Sequence, residues 1–257
     1  MTTSFFYTIP PQYPAIGFEY DKSKGTEEIA YASTPTEYTL ATIPTTKLEK
    51  VKNLVAIGPS ISHPTWFEYD TDDLVDNKLG VPGIFKSIAA LHDEDAIMTA
   101  MFDLIELPQS SLPELVPGIR YTHVGGFLNR KSNGIRLHVG GNNHSVREFI
   151  VKHGGNPHWF DVYEHYHATA IASFDLINAS VENLRIEFHS SFKSTEIPEL
   201  VNDEWAQDCW NSFEFNIHDA YAAHPPKSTL LSHFKVGAND AEIESGYTKL
   251  YLAAAWV

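Results

Sequence analysis

The stretch Ile119-Arg120-Tyr121-Thr122-His123-Val124-Gly125-Gly126-Phe127, a turn at Asn133-Gly134, and then Ile135-Arg136-Leu137-His138-Val139 decides the fold. Two short runs rich in β-branched and aromatic residues on either side of Asn-Gly read as paired antiparallel strands. The pattern continues outward through Val146–Lys152, Trp159–Phe174, Leu184–Phe192, Ser212–Ile217 and Tyr247–Val257, all read as strands. Gly140-Gly141-Asn142-Asn143 and Gly154-Gly155-Asn156-Pro157 supply further turns. His123-Val124-Gly125-Gly126, His138-Val139-Gly140-Gly141 and His153-Gly154-Gly155 begin 15 residues apart, a hairpin rhythm. Residues 118–257 are therefore expected to form an antiparallel β-sandwich or barrel, the core of a mainly β protein.

Upstream the composition changes. Of 15 prolines, 11 lie at or before residue 117, and 11 of the 13 histidines follow it. Residues 1–117 thus read as a proline-rich, partly helical covering segment within one domain spanning 1–257. Pro10-Pro11 and Pro14 suit an extended arm, because proline fixes φ and donates no hydrogen bond. Leu40–Ile43 and Leu54–Ile57 read as short strands. Helices are expected near 83–106. Ile84, Ile88 and Leu91 would lie on one stripe, and Asp93 would cap a second helix carrying Ile97, Met98, Met101, Leu104 and Ile105. The acidic run Asp70, Asp72, Asp73, Asp76 lacks the glycine and terminal glutamate of a calcium loop and reads as a solvated loop.

The chain carries 18 Lys plus Arg against 33 Asp plus Glu, a net charge of −15. A surface so acidic is unsuited to nucleic acid or to an anionic membrane, both of which are bound through basic clusters. Nowhere do 18 apolar residues run consecutively, and no secretory leader precedes residue 25, so a cytoplasmic protein is expected. Cys209 is the only cysteine; beside Trp210 it reads as a buried small hydrophobe. No Gly-x-Ser-x-Gly elbow or phosphate-binding loop occurs.

Strand parity yields the candidate site. In 159–174, Phe160, Val162, Tyr166, Ala168, Ala170, Ala172 and Phe174 fall on one face, and Trp159, Tyr163, His165 and His167 on the other. Arg185, Glu187 and His189 alternate with Leu184, Ile186 and Phe188, and Glu214, Asn216 and His218 with Phe213, Phe215 and Ile217. Burial of the apolar sets would gather the polar ones on one surface. His165 and His167 are the expected pair of metal ligands, for zinc or iron, with His189 the expected third and His218 or Glu187 the alternatives to it. His165, His167, Arg185, Glu187 and His218 are the expected catalytic groups, and Trp159, Tyr163 and Asn216 the substrate contacts. Imidazoles beside a guanidinium and carboxylates suit lyase, isomerase or cyclase chemistry on a small, largely apolar organic substrate.

Two other readings stay open. Trp159, Tyr163 and Tyr247 could stack on sugars in a carbohydrate-binding module without catalysis, and the apolar ending Leu250–Val257 could join subunits of a homo-oligomer. His123, His153 and His158 are expected at one rim of the meander and His138 and His144 at the other, as turn residues.

Arg185-Ile186-Glu187, Asn216-Ile217-His218 and Phe234-Lys235-Val236-Gly237 resemble, in order, three blocks of jelly-roll alginate lyases: Arg-x-Glu-Leu, Gln-Ile-His and Tyr-Phe-Lys-Ala-Gly. That resemblance covers the last third of the chain and implies polysaccharide lyase activity on a jelly roll. Asn216 stands where that family has glutamine and His233 where it has tyrosine, and the last two blocks lie closer together here.

Overall fold

A computed structural model describes residues 15–24, 28–32, 40–58, 65–70, 80–88, 91–108, 111–128, 134–163, 169–189 and 203–256. Its strands are β1 (Ala15–Asp21), β2 (Glu28–Ala32), β3 (Thr65–Asp70), β4 (Gly83–Ser87), β5 (Ile119–Phe127), β6 (Gly134–Gly141), β7 (Thr169–Ile177), β8 (Ser180–His189), β9 (Ser228–Gly237) and β10 (Thr248–Ala255). The helices are α1 (Leu48–Ala56), α2 (Glu94–Ile105), α3 (Asn143–Lys152), α4 (His158–Tyr163), α5 (Glu204–Ala220) and α6 (Asp240–Glu244).

Every strand is antiparallel to its neighbours in sequence, and β10 pairs with β1 to close the ring. The protein is thus mainly β, and among the described residues ten strands form an antiparallel meander that closes as a barrel. A jelly roll requires Greek-key connections, so the architecture implied by the lyase resemblance is not the one observed.

Strand alternation gives the barrel two unlike faces. Ile16, Phe18 and Tyr20 of β1, Leu137 and Val139 of β6, Ala172 and Phe174 of β7, and Leu250 and Leu252 of β10 lie in the hydrophobic core. The helices cover this outer face. Phe213 of α5 meets Phe18 with ring centroids 5.8 Å apart, Phe149 of α3 meets Phe174 at 5.5 Å, and Phe160 of α4 meets Phe188 at 5.8 Å. Each aromatic side chain so buried contributes about 1.5–3 kcal/mol. The intervening residues point inward and are largely polar.

Several expectations are corrected. Val146–Lys152 is not a strand but most of α3, which starts where Asn142 Oδ1 accepts from Ser145 N at 2.9 Å. Ser212–Ile217 lies within α5, whose buried residues Ala206, Cys209, Trp210, Phe213 and Ile217 follow a helical period. Residues 159–163 belong to α4, so the strand expected over 159–174 begins only at Thr169. Gly83–Leu91 is not a helix: β4 takes its first five residues and a 3-10 turn its end. Leu54–Ile57 is not a strand, since Leu54 belongs to α1. The helix expected after Asp93 is α2, although the Asp93 side chain makes no capping hydrogen bond. Nor is the first part of the chain only a cover, because β1 to β4 supply four staves of the ring. The arm at Pro10–Pro14 and the acidic residues Asp72, Asp73 and Asp76 lie outside the described residues.

Candidate functional site

Ten strands make a barrel wider than side chains alone fill. The interior holds a cavity of about 350 Å³. Glu19 of β1, Trp66 and Glu68 of β3, Phe85 of β4, His123 of β5, Arg136 and His138 of β6, Ile171 of β7, Glu187 and His189 of β8, Ser232, His233 and Lys235 of β9 and Tyr251 of β10 line it.

Two bulges aim histidines into this space. In β5 the register shifts between Tyr121 and His123, so Tyr121 packs in the outer core while His123 faces inward opposite His138. Their rings lie 5.5 Å apart. In β10 the shift between Tyr251 and Leu252 leaves Ser232 of β9 as the extra residue, and both Ser232 and His233 border the cavity. An unpaired residue at a bulge is what lets consecutive side chains share a face.

Glu187 is the electrostatic hub. Lys235 Nζ lies 2.8 Å and His138 Nε2 3.2 Å from its Oε1, while His189 Nε2 lies 3.4 Å from its Oε2. Burial alone would raise this carboxyl, but Lys235, then His138 and His189, hold it well below the usual carboxylate range. His189 stacks on His233 at 4.4 Å between centroids, and His233 on Tyr251 at 3.9 Å. Burial, then the neighbouring imidazoles, pushes His233 well below its ordinary value and His123 down to about 3. His138 is also lowered by burial, against the pull of Glu187. His123, His138 and His233 therefore face the cavity as neutral imidazoles at neutral pH.

Across the barrel, Glu19 pairs with Lys249, which together with lesser partners outweighs burial and keeps Glu19 low. Glu68 lacks such a dominant partner. Burial, reinforced by the charge of Glu19, raises its carboxyl to about 7. Arg136, which also lines the cavity, donates from Nε to Asp175 Oδ1 at 2.9 Å. A more open groove, lined by Lys50 and Asn53 of α1 and Asp95, Thr99 and Asp103 of α2, lies outside the barrel and contains none of these groups.

No protein-family model and no curated protein matches this chain.

Of the residues expected from sequence, Glu187 and His189 line the cavity. Arg185 shares their strand but sits further along it, donating to Glu242 Oε1 at 2.8 Å with its guanidinium 4.7 Å from the Tyr247 ring centroid. Asn216 and His218 are on α5, which covers the outer face of the barrel, and neither lines the cavity; Asn216 is buried and donates to Ser212 Oγ at 3.3 Å. Glu214, also on α5, accepts from Thr229 Oγ1 at 2.9 Å. Trp159 is on α4, packed against the core, and Tyr163 ends that helix. His165 and His167 lie outside the described residues.

The rim groupings are corrected too. His123 and His138 face each other across one ladder, His153 caps α3 against Phe149, and His144 is an exposed residue of α3 beside Glu148. Glu19, Glu68, His233, Lys235 and Tyr251 also line the cavity and are not among the site residues expected from sequence. Their signal was alternation of the kind seen in Ile16-Gly17-Phe18-Glu19-Tyr20, where every second residue is apolar.

Proposed function

We propose that the barrel interior is the active site of an enzyme that moves a proton on a small, largely apolar organic molecule, in a reaction of the isomerase, lyase or cyclase type. The observation that carries this reading is Glu68, a carboxyl raised to about 7 in a cavity that also presents neutral imidazoles. A group half-ionised near neutral pH serves as both base and acid. In its carboxylate form it takes a proton from a carbon beside a carbonyl. Thr122 Oγ1 donates to His138 O and so accepts from Nδ1 of the neutral His123 at 3.2 Å, which leaves His123 Nε2 as an acceptor that can hold a hydroxyl or N–H of the substrate without adding a charge. The protonated Glu68 then returns the proton to a different carbon, or to a departing group. Trp66, Phe85 and Ile171 supply apolar wall for the rest of the substrate.

Proton exchange at carbons next to a carbonyl tests this directly. The protein is incubated in deuterium oxide with a panel of small apolar ketones and enones, and deuterium uptake is followed by NMR. Exchange above the buffer rate is expected for at least one compound, falling by about 100-fold or more in Glu68→Gln. Equal exchange by the two proteins, or none above buffer, overturns the proposal and leaves ligand binding without catalysis as the function of the cavity.

A further inference from the structure

We propose that Glu187, His189 and His233 bind one divalent transition-metal ion, zinc or iron(II), in the cavity wall, with coordination positions left open to the interior. This goes beyond the proton-transfer reading and stands without it. The set keeps His189 and Glu187, both candidates for the third ligand in the sequence, and has His233 in place of the His165/His167 pair.

Register assembles the three. Glu187 and His189 are two residues apart on one face of β8, and His189 stands directly opposite His233 on β9. One donor atom from each lies within 4.8 Å of the other two. Donors bonded at about 2.0–2.2 Å around a tetrahedral zinc ion are about 3.3–3.6 Å apart. The separation of Glu187 Oε2 from His189 Nε2, 3.4 Å, already has that value. His233 is stacked on His189 with 13° between the ring planes, so one ring must turn out of that stack for both lone pairs to meet the ion.

The surroundings match those of a ligand set as well. Glu187 divides its two oxygens, Oε1 taking Lys235 and His138 and Oε2 facing His189. Ligating carboxylates are commonly oriented by outer partners of this kind. Ser232 Oγ lies 3.1 Å from His233 Nδ1, which leaves Nε2 as the donor, and Tyr251 stacks on the same ring. Two imidazoles with one carboxylate form the donor set of zinc and non-haem iron sites that keep positions open for water or substrate. Glu187 is buried, whereas His189 and His233 retain some surface on the cavity side, so an ion has a route to the donors.

The full-length chain, made without a histidine tag and stripped with chelator, is titrated with Co²⁺ by visible absorption and with Zn²⁺ by calorimetry. One ion per chain is expected, with affinity reduced about 100-fold or more in His189→Gln and in His233→Gln. His144→Gln, on the exposed side of α3, should bind as the unsubstituted protein does. Circular dichroism of the metal-free proteins checks that the variants fold. A measurement without substitution gives the same answer: Zn²⁺ should protect His189 and His233 from diethylpyrocarbonate, read by mass spectrometry. Absence of saturable binding, binding undiminished in both glutamine variants, or no protection of these two rings overturns the proposal. So does loss of binding in His167→Gln with retention in His233→Gln, which would move the metal to the other pair.

Discussion

Glu187 and Glu68 are two carboxyls in one cavity, and their surroundings drive them apart. Glu187 is compensated by Lys235 at 2.8 Å and by two imidazoles. Removing either member of such a buried pair costs about 3–5 kcal/mol, because the remaining charge has no water to turn to. Glu68 is raised to about 7 from 4.5. A carboxyl with a higher pKa when folded holds more protons in the folded state than in the unfolded one. Its effect is therefore absent below about pH 4.5 and becomes destabilising as the pH rises to about 7, by at most about 3 kcal/mol at about 1.4 kcal/mol per unit. Glu68→Gln removes that dependence. The stability of the unsubstituted protein relative to Glu68→Gln should fall by up to about 3 kcal/mol between pH 4.5 and pH 8, measured by urea denaturation. A constant difference across that range would show that Glu68 titrates as an ordinary surface carboxyl.

At the scale of the strands, the cavity depends on small residues opposite large ones. Gly125 of β5 is the cross-strand partner of Phe85, and a Cβ placed there would come within 2.1 Å of the Phe85 ring. Gly125→Ala must displace that ring, which already has the Phe127 and His138 rings 5.7 and 6.4 Å away between centroids. We expect a loss of about 1–3 kcal/mol from overpacking, measured as a lower urea midpoint; an unchanged midpoint would mean the ring moves freely. Much of this strand level was readable in the sequence. Ile119–Phe127 and Ile135–Val139 read as strands and are β5 and most of β6, and in β8 the alternation of Glu187 and His189 with Ile186 and Phe188 marks the inward face. The errors have physical causes. Phe213-Glu214-Phe215-Asn216-Ile217-His218 alternates over six residues as a strand would, yet Ala206, Cys209, Trp210 and Phe213 upstream keep a helical spacing, and Phe215 is left 70% exposed. A short window cannot separate those two periods. In β4, Lys86 interrupts the apolar face; its ammonium donates to Val55 O at 3.2 Å, near the end of α1. The bulges at Thr122 and Ser232, which bring His123 and His233 inside, leave no mark in local composition.

At the scale of the whole molecule, the barrel divides folding from chemistry. Its outer face buries aromatic and aliphatic side chains under helices, so stability does not require an apolar interior, and the lumen is left for charged and imidazole groups that would be costly in a filled core. That arrangement depends on closure of the ring. β10 is the closing strand, paired along its length with β1 and with β9, and Leu250, Leu252 and Ala254 on it are fully buried. The apolar ending that could have served as a subunit contact is thus accounted for within the chain. Removing Leu250–Val257 would expose two strand edges at once and open the cavity along Tyr251. The truncated protein is expected to lose its cooperative thermal transition and to aggregate, as seen by circular dichroism and size-exclusion chromatography. A truncated chain that keeps its melting temperature and merely dissociates would return the segment to the role of a subunit contact, and the cavity to a sheet that does not need to close.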